Sequence, residues 1–457
     1  METSQSSGPA RFGGPPGNAV GRATAFRACP TGRPTDRSVR QSHQTGRRAR
    51  TGVPAGDRSP RSTGNAHGGT MPVHQPLDLA GLDRTLNCAG TPWDLARNPM
   101  TALSESERAD RVRFPLPRPR AAEAGPGGPR VTVPATPAPG APRPGDRSNR
   151  TGGDAGEAGH FDLRDVDGVD YTTPVKDQGP CGSCVAFATL AAVEHVARFT
   201  RHMPDLPLDL SEAHAFHGYG RSDGAGADTG WWPGRLLPSV AESGVAFEDC
   251  LPYSPNDADD TGLDPGWLDR RVRVTGFTRI GAGPGAIKEH LRTYGAVIAC
   301  LVVYQDFLSY RSGVYRHLTG AATGGHCVVL VGYDDAQQCW IAKNSWGTGW
   351  GEQGFFRIGY GECDIESYPG PGGVEVYGIT GVTLRALLPE MTVLALWAGE
   401  DDTHVWVYGA VRGWLSLDGD DLTPEHPLLT ELATSQALGR PVRLFEDDGR
   451  ITSLHPS

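Results

Sequence analysis

The chain has 457 residues, 38% hydrophobic and 21% charged, with a formal net charge of −10. That length accommodates two or three domains and a sizeable core in part of the chain, and the excess of acid gives no support to nucleic-acid binding. The longest apolar run, residues 295–304, is too short to cross a bilayer, so no membrane partner is expected either.

The N-terminus lacks the basic stretch and apolar core of a secretory signal. Nine cysteines are present: Cys29, Cys88, Cys181, Cys184, Cys250, Cys300, Cys327, Cys339 and Cys363. An odd number in a chain without a visible signal fits free thiols plus a functional one better than a disulfide framework, and favours a reducing, cytoplasm-like compartment.

Residues 1–70 are rich in Gly, Pro, Arg, Ser and Thr and almost free of aliphatic side chains, so they are expected to be disordered. Their Arg-rich, acid-poor character also suits an organellar transit peptide, although the Pro and Gly density opposes the amphipathic helix that needs. A start of translation at Met71 is the alternative. From Met71 to Leu116 the composition changes, with Leu77, Leu79, Leu82, Leu86, Trp93, Met100 and Phe114, and Ser104-Glu105-Ser106-Glu107 is a helix-start signal. Residues 117–159 form a Pro/Ala/Gly linker, expected to be extended, exposed and open to cleavage.

The next stretch carries the chemistry. Gln178-Gly179-Pro180-Cys181-Gly182-Ser183-Cys184 is a Gly/Pro-rich turn that runs into an apolar segment of helical spacing, continued by Leu190, Val193, Val196 and Ala197. Cys184 then stands at the first helical position, where unpaired N–H groups and the helix dipole favour an anion. A thiol so placed is expected to fall from about 8.5 to below about 7. Further helices are expected over 208–219 and, interrupted near Pro238, over 236–242. From Val272 the pattern turns to short β-rich runs: 272–274, 297–303, 327–331, 340–343 and 354–358. His326 follows the pair Gly324-Gly325, and Asn344 opens Asn344-Ser345-Trp346-Gly347. Beyond residue 383 come short strands over 391–397, 404–408, 413–417, 442–445 and 450–454, a helix between 428 and 438, and the hairpin signal Asp447-Asp448-Gly449. These read as a small β-rich C-terminal module, with its Trp residues as core or as a binding surface.

Taken together, the stretches around Cys184, His326 and Asn344 resemble the nucleophile segment, the histidine strand and the asparagine loop of the papain-like cysteine peptidases. His326 lies 142 residues after Cys184 and Asn344 160 after it, against about 130–150 in the handed-down spacing of that family. The resemblance covers His160 to about Thr380. It implies an α+β fold: a two-lobed papain-like domain over 160–382, with a helical lobe and a β-barrel-like lobe, opening at Phe161-Asp162-Leu163-Arg164. It also implies a cysteine-type peptidase acting on peptide or protein substrates with no cofactor and no metal. In that reading Cys184 is the nucleophile, His326 the base and acid held as an ion pair with the thiolate, Asn344 the group that orients the imidazole, and Gln178 an oxyanion donor beside the Cys184 N–H. Gly230 pairs its backbone with substrate. Trp231 and Trp232 either wall the pocket for the second residue before the scissile bond or pack in the core. Trp346 shields the His326–Asn344 bond, packs in the core, or both. Residues 71–116 read either as an intramolecular pro-segment, making the chain a zymogen, or as an extension packed on the domain; a pro-segment is expected to cross the cleft in the non-productive direction.

The sequence departs from that family at Val185, where Trp is usual, and in its disulfides: the mates of Cys181 and Cys363 are missing, leaving Cys181–Cys250 as one open pairing. Three competing readings stand beside the peptidase: a thioredoxin-type pair at Cys181 and Cys184, a zinc site drawn from Cys181, Cys184, His326 and Cys327, and an inactive papain-like scaffold that binds peptides or proteins.

Overall fold

The computed structural model describes residues 77–116, 159–226, 229–255, 261–281, 283–398, 405–409, 413–417, 427–448 and 450–456. All of them belong to the compact unit Thr70–Ser457. The expectations for residues 1–70, the Met71 start and nearly all of the 117–159 linker lie outside the described residues.

The helix Cys184–Thr200 is the axis of the fold. Its first seven residues are all buried, and only its last turn and Ala191 reach the surface in part. A helix apolar on every side is a core helix. It packs on the 13-residue strand Ala322–Asp334, buried from Gly324 to Tyr333. That strand lies between Val297–Tyr304 and Cys339–Lys343 in an antiparallel sheet, with Leu301 opposite His326 and Val329 opposite Lys343. Unbroken apolar runs such as Val297–Val303 are what a strand covered on both faces requires.

Three of the elements that differ from the sequence reading bear on the site and the C-terminal region. The expected helix over 208–219 begins only at Glu212 and runs as a wide π-type helix over His214–Gly220. Leu208–Leu210 stays extended because the Leu210 N–H donates to the buried Glu194 carboxylate at 2.9 Å and Ser211 caps the helix, its Oγ accepting from His214 N at 3.0 Å. A helix over Pro284–Tyr294 and a strand over Val376–Leu387 were not anticipated.

That last strand matters for the C-terminal region. It pairs with Arg271–Arg279 along most of its length, from Tyr377 to Arg385, with Val297–Tyr304 at its start and with Pro441–Asp447 at its end. The strands Met391–Ala398, Val405–Gly409, Gly413–Leu417 and Arg450–Pro456 continue the same sheet, with the helix Pro427–Leu438 against it. The stretch expected to stand apart is therefore hydrogen-bonded into the catalytic sheet. It is also clamped to the end of the central helix: Arg201 makes two bonds of 2.6 Å to the fully buried Glu446 carboxylate and a third to the Val382 carbonyl at 3.0 Å. Arg201→Ala strands that carboxylate without a cation. A loss of about 3–5 kcal/mol is expected, read as a lower urea midpoint with both regions melting together.

At the other end, residues 77–116 pack on the strand lobe. Asp78 caps the helix Leu79–Ala89, and Ser104 and Glu107 form a reciprocal capping box on Glu105–Arg111, as the sequence signal predicts. Trp93–Leu95 adds an antiparallel edge strand beside Tyr310–Tyr315, with the Trp93 ring buried 5.1 Å from that of Tyr315. Among the described residues no helix is long and apolar enough to cross a membrane.

Candidate active site

Cys184 occupies the first position of its helix, with Ser183 at the cap position. Its thiol meets the backbone N–H of Cys327, the residue next to His326. His326 is fully buried on its strand, and its Nε2 lies 2.8 Å from Asn344 Oδ1. Asn344 leaves the Cys339–Lys343 strand and is held there by its own N–H bonding to the Gly354 carbonyl at 2.9 Å. Its Oδ1 also accepts from Ser345 N at 2.8 Å. With Nε2 engaged by an amide oxygen, that nitrogen carries the proton of the neutral ring and Nδ1 is the basic one. Nδ1 has no hydrogen-bond partner among the described residues.

Trp346 lies flat over this pair, its ring 4.7 Å from that of His326 and tilted by 30°. It is fully buried and packs on Phe307 and Trp350. Its ring covers the imidazole of His326 and does not reach the surface. Trp231 is likewise not a pocket wall: it is buried in the core, with Nε1 donating to Asp223 Oδ2 at 2.8 Å. Trp232 is half-buried and does face the cleft.

The cleft is occupied by the chain itself. The helix Glu105–Arg111 ends there, and residues 113–115 continue through it with isolated bridges to Gly325. The Arg111 carbonyl accepts from Gln178 Nε2 at 3.1 Å. The Phe114 carbonyl accepts from Gly325 N at 3.0 Å. The Phe114 ring sits edge-on between Trp232 (4.7 Å) and Tyr368 (5.2 Å), and Tyr368 Oη donates to the Pro115 carbonyl at 2.6 Å. Gly230, at φ +63°, brings its backbone so near the Arg113 carbonyl that a Cβ there would lie 2.5 Å from it; a side chain at that position would push the segment away. Arg111 adds a 2.7 Å ion pair to Asp177, the residue before Gln178. Tyr368 and Ser345 were missed in the sequence as parts of the site, and so were the contacts by which the segment is held, although a crossing of the cleft was expected of a pro-segment.

This cover decides the electrostatics. Burial pushes the Cys184 thiol well up, and the neighbouring Cys327 adds to the rise. Burial pushes His326 down to about 4, against the opposing bond to Asn344. These directions run against the lowered thiol expected from the helix start. Removing water disfavours both charged forms, against the lowering that a helix start gives a thiol. All the described cysteines are free, so the open pairing of Cys181 with Cys250 is not formed.

Residues 158–370 match the family model for papain family cysteine protease. Cathepsin B-like CP3 of Giardia intestinalis is 35% identical over 210 residues, a match covering 42% of this chain and 67% of that protein. The chain belongs to the papain family of cysteine proteases. Cathepsin B-like protease 1 of Arabidopsis thaliana is 32% identical over 210 residues, and there the match spans only 54% of the relative. A solved digestive procathepsin L 3 from Tenebrio molitor larval midgut aligns over 66% of this chain and 88% of its own, at 22% identity and a TM-score of 0.49. As a papain-family member the domain is a cysteine peptidase of two-lobed α+β form, acting on peptide or protein substrates. The antiparallel setting of the Cys184 helix differs from the parallel βα setting of a thioredoxin-type pair.

Proposed function

We propose that this cysteine peptidase works through Cys184, His326, Asn344 and Gln178, and that residues 77–116 are its pro-segment. His326 Nδ1 takes the Cys184 proton. The sulfur attacks a peptide carbonyl, and the C=O electron pair moves onto oxygen, which Gln178 Nε2 and the Cys184 N–H stabilise. As the C–N bond breaks, imidazolium protonates the leaving amine and a thioester remains. His326 then takes a proton from water as the water attacks the thioester, and the acid leaves with the thiol restored. Asn344 holds the ring in the tautomer this requires.

One observation carries the reading: a backbone carbonyl, that of Arg111, already sits on the Gln178 amide N–H where an oxyanion belongs. Phe114 fills the Trp232–Tyr368 pocket, which points to a large apolar or aromatic substrate residue there. In a substrate the residue in that pocket precedes the scissile carbonyl; Phe114 follows Arg111. The segment thus runs backwards, which keeps it from being cut, and release by cleavage within 117–158 frees the cleft.

A peptidyl epoxide, which alkylates an activated thiol, tests the assignment. Mass analysis is expected to find a single adduct on Cys184 in the processed chain and none with His326→Ala. Labelling that persists undiminished without the imidazole removes His326 from the mechanism.

A further inference from the structure

We propose that Cys300 and Cys327 form an oxidisable dithiol that takes oxidation off Cys184 and ends as a cross-strand disulfide; this rests on the reading of Cys184 as the nucleophile. Cys300 and Cys327 stand directly opposite each other on the antiparallel strands Val297–Tyr304 and Ala322–Asp334. Opposed residues of such strands have Cα atoms about 4.5–5.5 Å apart, inside the span of about 4.4–6.8 Å that a disulfide bridges. Their side chains leave the sheet on the same face. That face packs on the Cys184 helix, and Cys184, Cys300 and Cys327 share one apolar cluster with Phe114 and Tyr368. The Cys184 thiol meets the Cys327 N–H. Burial raises the Tyr368 hydroxyl, and Cys300, Cys184 and Cys327 each add to the rise, so the three thiols gather near one ring. All three are free and fully buried beneath the covering segment.

Once Phe114 leaves, the cleft opens at Cys184, the thiol that His326 and the helix start activate. The Cys184 sulfur attacks one oxygen of a hydroperoxide such as hydrogen peroxide. The O–O bond breaks, the leaving hydroxide takes the thiol proton as water, and a sulfenic acid remains. The Cys327 sulfur then attacks the Cys184 sulfur; the S–O bond breaks and a second water leaves with the Cys327 proton. Finally the Cys300 sulfur attacks that of Cys327, and the Cys184 sulfur departs with the Cys300 proton as a restored thiol. Two thiols have lost two electrons and the peroxide has gained them. Neither resolving thiol is activated, so position drives these steps.

The test exposes the full chain, before and after processing, to about one equivalent of hydrogen peroxide. It reads hydrolysis against each protein's own untreated rate, beside a non-reducing peptide map. The processed parent is expected to keep most of its turnover and to show a Cys300–Cys327 disulfide; the unprocessed chain oxidises far more slowly. Cys300→Ala halts at a Cys184–Cys327 disulfide, with turnover lost and restored by dithiothreitol. Cys327→Ala lacks the resolving thiol, and more peroxide drives Cys184 to sulfinic acid, a loss dithiothreitol does not reverse. In Cys184→Ala the pair stays reduced. Cys300 and Cys327 both free in the processed parent after the peroxide is consumed, or oxidised as fast in Cys184→Ala, overturns the proposal; so does a Cys327→Ala loss no less reversible than the parent's. The parent's map needs no substitution, so a variant that fails to fold leaves the test standing. Turnover retained in Cys184→Ala overturns the peptidase assignment instead; with Cys184→Ala dead and the parent's pair unoxidised, only the dithiol falls.

Discussion

Cys184→Ala is expected to abolish peptide hydrolysis, with kcat falling by about 10⁵-fold or more, as when the nucleophile of a comparable triad is removed. Nothing else in the cleft replaces the sulfur. The neighbouring thiols of Cys181, Cys300 and Cys327 are buried, and burial holds Cys181 and Cys300 above the ordinary thiol range, so they are poor nucleophiles. Because sulfur and imidazole act as one unit, His326→Ala should cost nearly as much, and the double variant little more than either alone. Asn344→Ala should cost much less, since it loosens an orientation without removing a reacting group. Steady-state hydrolysis of a peptide amide by the parent and the four variants checks this. Equal activity in Cys184→Ala and the parent would falsify the assignment.

Deleting residues 1–116 is expected to raise kcat/KM of the unprocessed chain by about 100-fold or more. The covering segment holds on by the buried Phe114 ring, the Gly325 and Gln178 hydrogen bonds and the Arg111–Asp177 pair. Phe114→Ala alone should release part of that block: truncating a buried Phe costs about 3–5 kcal/mol, equivalent to roughly 10²- to 4 × 10³-fold in the population of the covered state. A second readout follows from the electrostatics. With the cleft open to water, the burial that pushes His326 down to about 4 and Cys184 well up is relieved. The imidazole rises, the thiol falls, and the charged pair becomes accessible. Alkylation of Cys184 by iodoacetamide near pH 6 should accelerate on removal of the segment. An alkylation rate and a kcat/KM that are the same with and without residues 1–116 refute the pro-segment assignment.

The reacting groups were legible before any fold was known. Cys184 lies between a Gly/Pro turn and a helical apolar pattern, His326 behind two glycines, and Asn344 before Ser-Trp-Gly; each signal is local and borne by side chains. The β-rich runs were legible for the same reason: continuous apolar stretches such as 297–303 have few other uses in a core. Elements whose pattern is mixed, such as Pro284–Tyr294 and Val376–Leu387, were not. The expected helix over 208–219 failed where Glu194, sixteen residues earlier, captures the Leu210 N–H.

The strongly apolar strands, the helix that begins at Cys184 and the proposal of Cys184, His326 and Asn344 as nucleophile, base and orienting amide come from the linear chain, because periodicity and residue type write them locally. Three things came only with the packed molecule. The cleft is covered through the backbone carbonyls of Arg111 and Phe114, and a carbonyl leaves no mark in a sequence. The direction in which Cys184 and His326 shift follows from how much water the surrounding chain excludes, a quantity that exists only once distant segments meet. The C-terminal strands share a sheet with the catalytic domain through Val376–Leu387 and the Arg201–Glu446 clamp, partners 245 residues apart. Such contacts are chosen by burial and geometry across the fold.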